Sequence, residues 1–396
     1  MNTSTNYSIL ALVVASAACS ANAGAPGETV ATSASAASAG WTVVPTQNSG
    51  TGDNVLAAVS GSATNDVWAV GQIIPDDNAN VTQTLAHHYD GNVWTPVPTP
   101  NVGPNANSLA GVAAQDGQAW AVGYYQDSNW ISRSLVEAWD GSSWKVVKHP
   151  QVGAGGDHMQ AVSADCATDV WAAGWSRDAT GTFSTLVERF DGTAWSVVPT
   201  PNPGVNGNLL YGIFARSGDD VWAVGQRVGA SGPDQALILH WNGSAFTSVS
   251  SSSNGANSTE LLAVTANDQG VIRAVGDGED FTSGTKSVAE INADGTWTRE
   301  SAPSPGPTDN RLQAIAILSD GTAVAVGEYI DATSGNNFTL IEINRGRGWE
   351  QVPSPTTNTA GDNFLGGVTQ VGHDVWAVGT SDGANALQTV ILHYSL

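Results

Sequence analysis

Arg133, Arg177 and Arg227 are three of only ten arginines in the chain, and each follows shortly after an apolar run that ends in glycine. A guanidinium holds a carboxylate or sulfate through two parallel hydrogen bonds. Aromatic residues stand beside them: Tyr124, Tyr125 and Trp130 in one stretch, and Trp175 in the next. Indole and phenol rings stack on sugar rings and on cations. This pairing suits recognition of a glycan, an acidic one in particular. A polysaccharide lyase needs a base and a cation to neutralise a uronate; Tyr124, Tyr125, Tyr211 or His158 could be the one, and Arg133, Arg177 or Arg227 the other. Asp277, Glu279 and Asp280 offer two carboxylates for glycoside hydrolysis, or equally a weak Ca2+ site, and spacing does not choose between them. No serine nucleophile elbow, HExxH helix, Gly-rich phosphate loop or paired-cysteine metal site is present. The catalytic residues therefore stay unassigned, and no cofactor is expected.

What positions these residues is a repeat. The glycine of a Trp-Ala-Val-Gly signature recurs at Gly71, Gly123, Gly174, Gly225, Gly276, Gly327 and Gly379, spaced by 51 or 52 residues throughout. A second series follows Asp-Gly-type turns: Trp94, Trp144, Trp195, Phe246, Trp297 and Trp349. Its seventh member stands at the other end of the chain, at Trp41, because the last repeat stops just after Tyr394. One repeat reads as four strands. In residues 158–204, an apolar run ends at Val162. Val170–Gly174 follows a turn, Leu186–Phe190 follows a longer loop, and Asp191-Gly192 leads by a hairpin into Trp195–Val198. Segments of this length cannot bury themselves alone. The chain is therefore expected to be all-β, a seven-bladed β-propeller of four-stranded blades spanning residues 41–396, its ring closed by the N-terminal strand completing the last blade.

In this reading thirteen of the fifteen tryptophans belong to the repeat, and Trp130 and Trp175 do not. They fall with the arginines in the segment after the second strand, on the face that carries the mouth of the central channel. The corresponding segments elsewhere hold Asp76 and Asp77, then Asp277, Glu279 and Asp280, then Glu328 and Asp331, so a basic aromatic sector should face an acidic one. At the start of the inner strands, Asn54, Asn107, Asp157, Asn208, Thr259, Asn310 and Asn363 share one position. Such regularity predicts a side chain that closes a local turn. The next position varies, and there His158, Glu260 and Arg311 are candidates for specificity.

The chain resembles kelch-type and related secreted bacterial propeller repeats. The resemblance rests on Val67-Trp68-Ala69-Val70-Gly71, on the third-strand aromatics Tyr89, Trp139, Phe190, Trp241 and Tyr394, and on the tryptophan that follows the first three, at Trp94, Trp144 and Trp195. It departs from kelch in carrying one glycine where kelch carries two. Its Asp-Gly-x-x-Trp runs are similar to sialidase Asp-boxes, which place a residue between the Asp and the Gly. The resemblance implies an architecture; activity is argued from the site.

Composition narrows the setting. A formal charge of -23, with three lysines against 26 aspartates, argues against nucleic acid and anionic lipid as partners. Residues 9–18 form an apolar run too short to span a bilayer, and no other segment is long enough. With Ala21-Asn22-Ala23 it reads as a signal peptide over residues 1–23, followed by a flexible Ala/Ser/Thr-rich tether over 24–40. Ser16-Ala17-Ala18-Cys19 offers the alternative of an outer-membrane lipoprotein anchored through Cys19. The expectation is a secreted or periplasmic monomer that binds a glycan or polysaccharide. The alternatives are a lyase or glycoside hydrolase acting at the same face, and a surface scaffold that binds a protein.

Overall fold

The structure is a computed structural model that describes residues 40–75, 81–253, 255, 257–280, 284–383 and 386–396. The expected leader, the expected tether up to residue 39 and Cys19 lie outside the described residues, as do Asp76 and Asp77.

All 28 elements described are β-strands, and they assemble into five four-stranded sheets and one of eight. Four-stranded units follow one order: a first strand such as Asp53–Ala63, a second such as Asp66–Ile74, a third such as Gln83–Tyr89 and a short fourth such as Trp94–Val97, each antiparallel to the last. The eight-stranded sheet is two such runs, 156–197 and 207–249, touching through a single parallel pairing of Phe183 with Gly207. The first strands adjoin one another in a closed ring: 53–63, 107–115, 156–166, 207–217, 259–266, 310–317, 363–371 and back to 53–63. The N-terminal strand Thr42–Val44 pairs antiparallel with Leu387–Ser395, matching Thr42 to His393 and Val44 to Ile391, and so supplies the fourth strand of the last sheet.

The repeat residues explain this arrangement. The second-strand tryptophan fills the seam to the next sheet, where it meets that sheet's third- and fourth-strand aromatics; Trp68, for example, lies 4.7 Å from Trp139 and 5.0 Å from Trp144. Behind three of these indoles stands a histidine–aspartate pair. His88 Nε2 is 2.9 Å from Asp66, His240 is 2.9 Å from Asp220 and His393 is 2.7 Å from Asp374, each ring lying against its tryptophan. These histidines hold the fold.

The repeat glycine has a different cause. Each first strand carries a bulge directly opposite it, at Leu56/Ala58, Leu109/Gly111, Met159/Ala161, Leu210/Gly212, Leu261/Ala263, Leu312/Ala314 and Leu365/Gly367. The bulge swings a first-strand carbonyl onto the glycine, so a Cβ at Gly71 would collide with Val55 O, and one at Gly225 with Leu209 O. It also leaves one residue per first strand outside the ladder. Those residues, Ala57, Ala110, Gln160, Tyr211, Leu262, Gln313 and Gly366, line the channel on the ring axis.

Candidate functional site

The end of the ring where second strands turn into third strands is built on the buried position Asn54, Asn107, Asp157, Asn208, Thr259, Asn310 and Asn363. As their regularity predicts, these side chains tie down the connection arriving from the previous sheet. Asn107 Oδ1 accepts from Val102 N at 2.9 Å and Gly103 N at 2.8 Å, and Asn208 both accepts from Gly204 N and donates to Gly204 O at 2.7 Å. Asp157 makes the same turn through Val152 N at 2.8 Å, with its pKa raised by burial.

The next residue of each first strand pairs with the residue after the repeat glycine: Val55 with Gln72, Ser108 with Tyr124, His158 with Trp175, Leu209 with Gln226, Glu260 with Asp277, Arg311 with Glu328 and Phe364 with Thr380. This rim has two unlike arcs. On one, Tyr124, His158 and Trp175 form a stacked column, with ring centroids 4.1 Å apart at both steps and interplanar angles of 27° and 17°. Phe183 closes it edge-on at 5.0 Å, and Arg177 lies over Phe183 at 5.5 Å. Burial in the column pushes the His158 pKa down to about 4, so the imidazole is neutral at pH 7, and it raises that of the Tyr124 hydroxyl.

The other arc is ionic. Arg311 Nε donates to Asp277 Oδ1 at 3.1 Å, and its Nη2 donates to Asp277 Oδ2 and Glu260 Oε1, both at 3.4 Å. Gln313 donates to Glu328 Oε1 at 3.1 Å, while Glu328 Oε2 is buried without a partner. Burial is the first cause of raised carboxyl pKa values here. Glu260 is pushed up to about 7 with help from neighbouring Asp277, and Glu328 to about 7 against the opposing pull of Gln313 and Arg311. Burial raises Asp277 too. Tyr211, at the bulge position between the arcs, has its hydroxyl pKa raised by burial and by the charge of Glu260.

Two cavities open here. One of about 510 Å³ occupies the channel mouth and is lined by Gln160, Tyr211, Gln313, Glu328, Phe364 and Thr380 among apolar neighbours. A smaller one of about 160 Å³ lies beside Glu260, Asp277 and Arg311. Below the mouth the channel narrows to about 170 Å³ between Val59, Val112, Val162, Ile213, Val264 and Val368.

The structure moves several predicted residues out of loops. Tyr124 and Tyr125 lie on the strand Gln118–Gln126, Trp175 and Arg177 on Asp169–Arg177, Arg227 on Asp220–Val228 and Arg133 on the third strand Ser132–Trp139. Antiparallel pairing runs on through Tyr125↔Arg133, Arg177↔Phe183 and Arg227↔Gln235, beyond the apolar signature, and shortens the hairpin loops. Arg227 stands two residues after its repeat glycine and Arg177 three, so they are not equivalent positions. Arg133 is engaged by Asp127 at 3.3 Å and Gly153 O at 3.1 Å, and Arg177 by Gly181 O at 3.3 Å. A uniform basic sector therefore does not form. The acidic sector in turn holds its own arginine, Arg311. Asp277, expected as a carboxylate for hydrolysis or for Ca2+, is turned toward that guanidinium.

Trp130 does sit in a hairpin loop. It is 57% exposed and has φ 61, in the left-handed region. The matching hairpin at Asp178–Thr182 places Gly181 (φ 95) there, and a hairpin one residue longer, from Asp331, ends its turn on Gly335 (φ 75); an aspartate caps each turn. Of the nine predicted residues, Tyr211 alone lines a mouth cavity. Sequence reasoning missed Gln160, Gln313, Phe364 and Thr380. For Gln160 and Gln313 the signal available was the variable residue directly after the first-strand Leu or Met.

Among the described residues no helix is long and apolar enough to cross a membrane, and no group of three or more His, Cys, Asp or Glu is arranged to hold a metal ion. No protein-family model and no curated protein matches the chain. Solved structures of β-propeller type do. It is similar to YCF48 bound to D1 peptide, at 13% identity and a TM-score of 0.53 over 90% of this chain and 97% of that one. It is similar to the extracellular domain of the putative one-component system BT4673 from B. thetaiotaomicron, at 11% and 0.51 over 86% of this chain and 38% of that one. A Trypanosoma rangeli sialidase mutant displaying trans-sialidase activity matches at 11% and 0.50, over 90% of this chain and 60% of that one. At these identities the likeness establishes the fold alone.

Proposed function

We propose that the chain is an extracellular seven-bladed propeller of kelch-like repeats that binds a glycan on its mouth face. The eight-stranded sheet counts as two blades, since one parallel pairing joins its halves. Residues 41–396 form the propeller, 24–40 the tether and 1–23 the leader of an exported protein. The observation that carries the binding reading is Trp130: its indole is exposed, and its backbone is held where the matching hairpin uses glycine. A tryptophan that costs conformational energy and leaves more than half of its surface open is explained by a ring stacking on it from outside. The column of Tyr124, His158 and Trp175 extends that surface, and Arg177 and Arg227 suit acidic substituents of the bound chain.

A screen of neutral and acidic polysaccharides, reading binding and turnover together, tests this. Trp130→Ala with Trp175→Ala should weaken binding about fivefold per stack lost, at about 1 kcal/mol each. Undiminished binding by the double variant overturns the site.

The ionic arc supports a second reading, catalysis. Glu260 and Glu328, both brought to about 7, are poised to exchange protons near neutrality. New reducing ends or unsaturated uronate in the screen, lost in Glu260→Gln, would favour a hydrolase or lyase over a binding protein.

A further inference from the structure

A small aromatic ligand has a place at the last seam of the ring, independently of any glycan at the mouth. Five seams are filled by an indole from the second strand. Trp68 meets Trp139 and Trp144, Trp120 meets Phe190 and Trp195 at 4.7 and 5.4 Å, and Trp171 meets Trp241 and Phe246 at 5.5 and 6.0 Å. Trp222 meets Trp297 at 5.6 Å, and Trp376 meets Tyr89 and Trp94 at 4.8 and 5.4 Å. The fourth-strand partner is met nearly edge-on in each, at 69–86°. At a sixth seam Arg273 takes the indole's position and grips Glu300 at 3.1 and 3.2 Å, while Trp349 Nε1 donates to the same carboxylate at 3.0 Å.

The seventh seam, between the sheet of residues 310–351 and the closing sheet, has neither. Val324 stands where the indole should be. Its two aromatic partners are present, Tyr394 and Trp41, with centroids 5.7 Å apart. Beside them lies a cavity of about 490 Å³, walled by Trp41, Tyr394, Val324, Ile343, Val352 and Val375. Its counterparts Trp94, Trp144, Trp195 and Trp297 are at most 6% exposed, whereas Trp41 is only half-buried. The neighbouring seams fix the walls, so the space has not collapsed around the smaller residue. Asp320 and Arg345 stand at its opening, the latter paired with Glu350 at 2.7 Å.

We propose that this seam is a binding site for a small planar aromatic molecule, of indole or phenyl size, whose ring takes the place of the missing tryptophan against Tyr394 and Trp41. Its walls are apolar below the opening, and two wall aromatics are already set for edge-on contact with a ring. A polar substituent on the ring would lie toward Asp320 and Arg345.

Indole is the probe, with the full chain. Saturating indole should raise Tm by about 2 °C or more, and Val324→Trp, which restores the repeat residue, should abolish that rise. If Val324→Trp does not fold, Val324→Leu decides; it should weaken indole binding about threefold or more by taking up part of the space. No Tm rise up to the solubility limit of indole overturns the proposal, as does binding that neither variant affects. Binding seen only after removal of residues 1–39 also overturns it, because the chain's own N-terminal segment would then be the occupant.

Discussion

Trp130 shows what a single residue can cost and return. A side chain in the left-handed region costs about 1 kcal/mol relative to glycine. Trp130→Gly should therefore raise Tm by about 1–2 °C while weakening polysaccharide binding by about fivefold. Thermal unfolding and a binding isotherm on the same preparation check both halves. A lower Tm, or unchanged affinity, would assign the indole a structural role instead. Trp175 differs in kind: stacked on His158 and set edge-on to Phe183, it contributes to stability as well as to any surface it offers.

Among the elements, the third strands carry the least expected feature. Glu137, Glu188, Glu290 and Glu342 share one buried position on them. Glu188 is met by His149 at 3.1 Å, and Glu290 by Ser251 Oγ at 2.6 Å and Ser253 N at 2.9 Å. Glu137 and Glu342 have no partner for either oxygen, and burial pushes both to about 8. The folded state thus keeps a proton that the unfolded chain releases near its ordinary value of 4.5. Stability from the neutral carboxyl is complete below that value and drains away as pH rises toward 8. Glu342→Gln should accordingly raise Tm by about 2 °C or more at pH 8.5 and change it little at pH 4.5. Equal shifts at both pH values would mean that packing alone, and not the proton, is involved.

At the scale of the whole molecule, stability hangs on closure. Removing residues 1–50 takes away Thr42–Val44 and Trp41, leaving Leu387–Ser395 as an open edge, and should lower Tm by about 5 °C or more. Removing residues 1–38 should leave Tm unchanged; a large loss there, or none in the longer truncation, would refute the assignment. The ring was legible because the repeat glycine recurs every 51 or 52 residues with an aromatic series in step, and because the absent last member reappears at Trp41. The site was less so. Nothing in the sequence around Leu210-Tyr211-Gly212 announces a bulge, which is a backbone event fixed by the glycine on the neighbouring strand. The loop placement of Arg177 and Arg227 failed for a related reason: pairing persists into polar residues, where an apolar pattern gives no sign of it. Trp130 stood out only as a tryptophan the repeat could not account for; its conformation was invisible.

The bulges also separate inheritance from identity. In each first strand one residue is skipped by the ladder and turned toward the axis, and the repeats already fill that place with Ala, Gln, Tyr, Leu and Gly. Outside Gln313, which donates to Glu328, and Gly366, whose Cβ would meet Ala57 O, these residues can change without breaking a ladder hydrogen bond. The lumen of such a ring is thus a set of separately exchangeable letters written inside a fixed wall, and a new ligand can be met by respelling it one blade at a time.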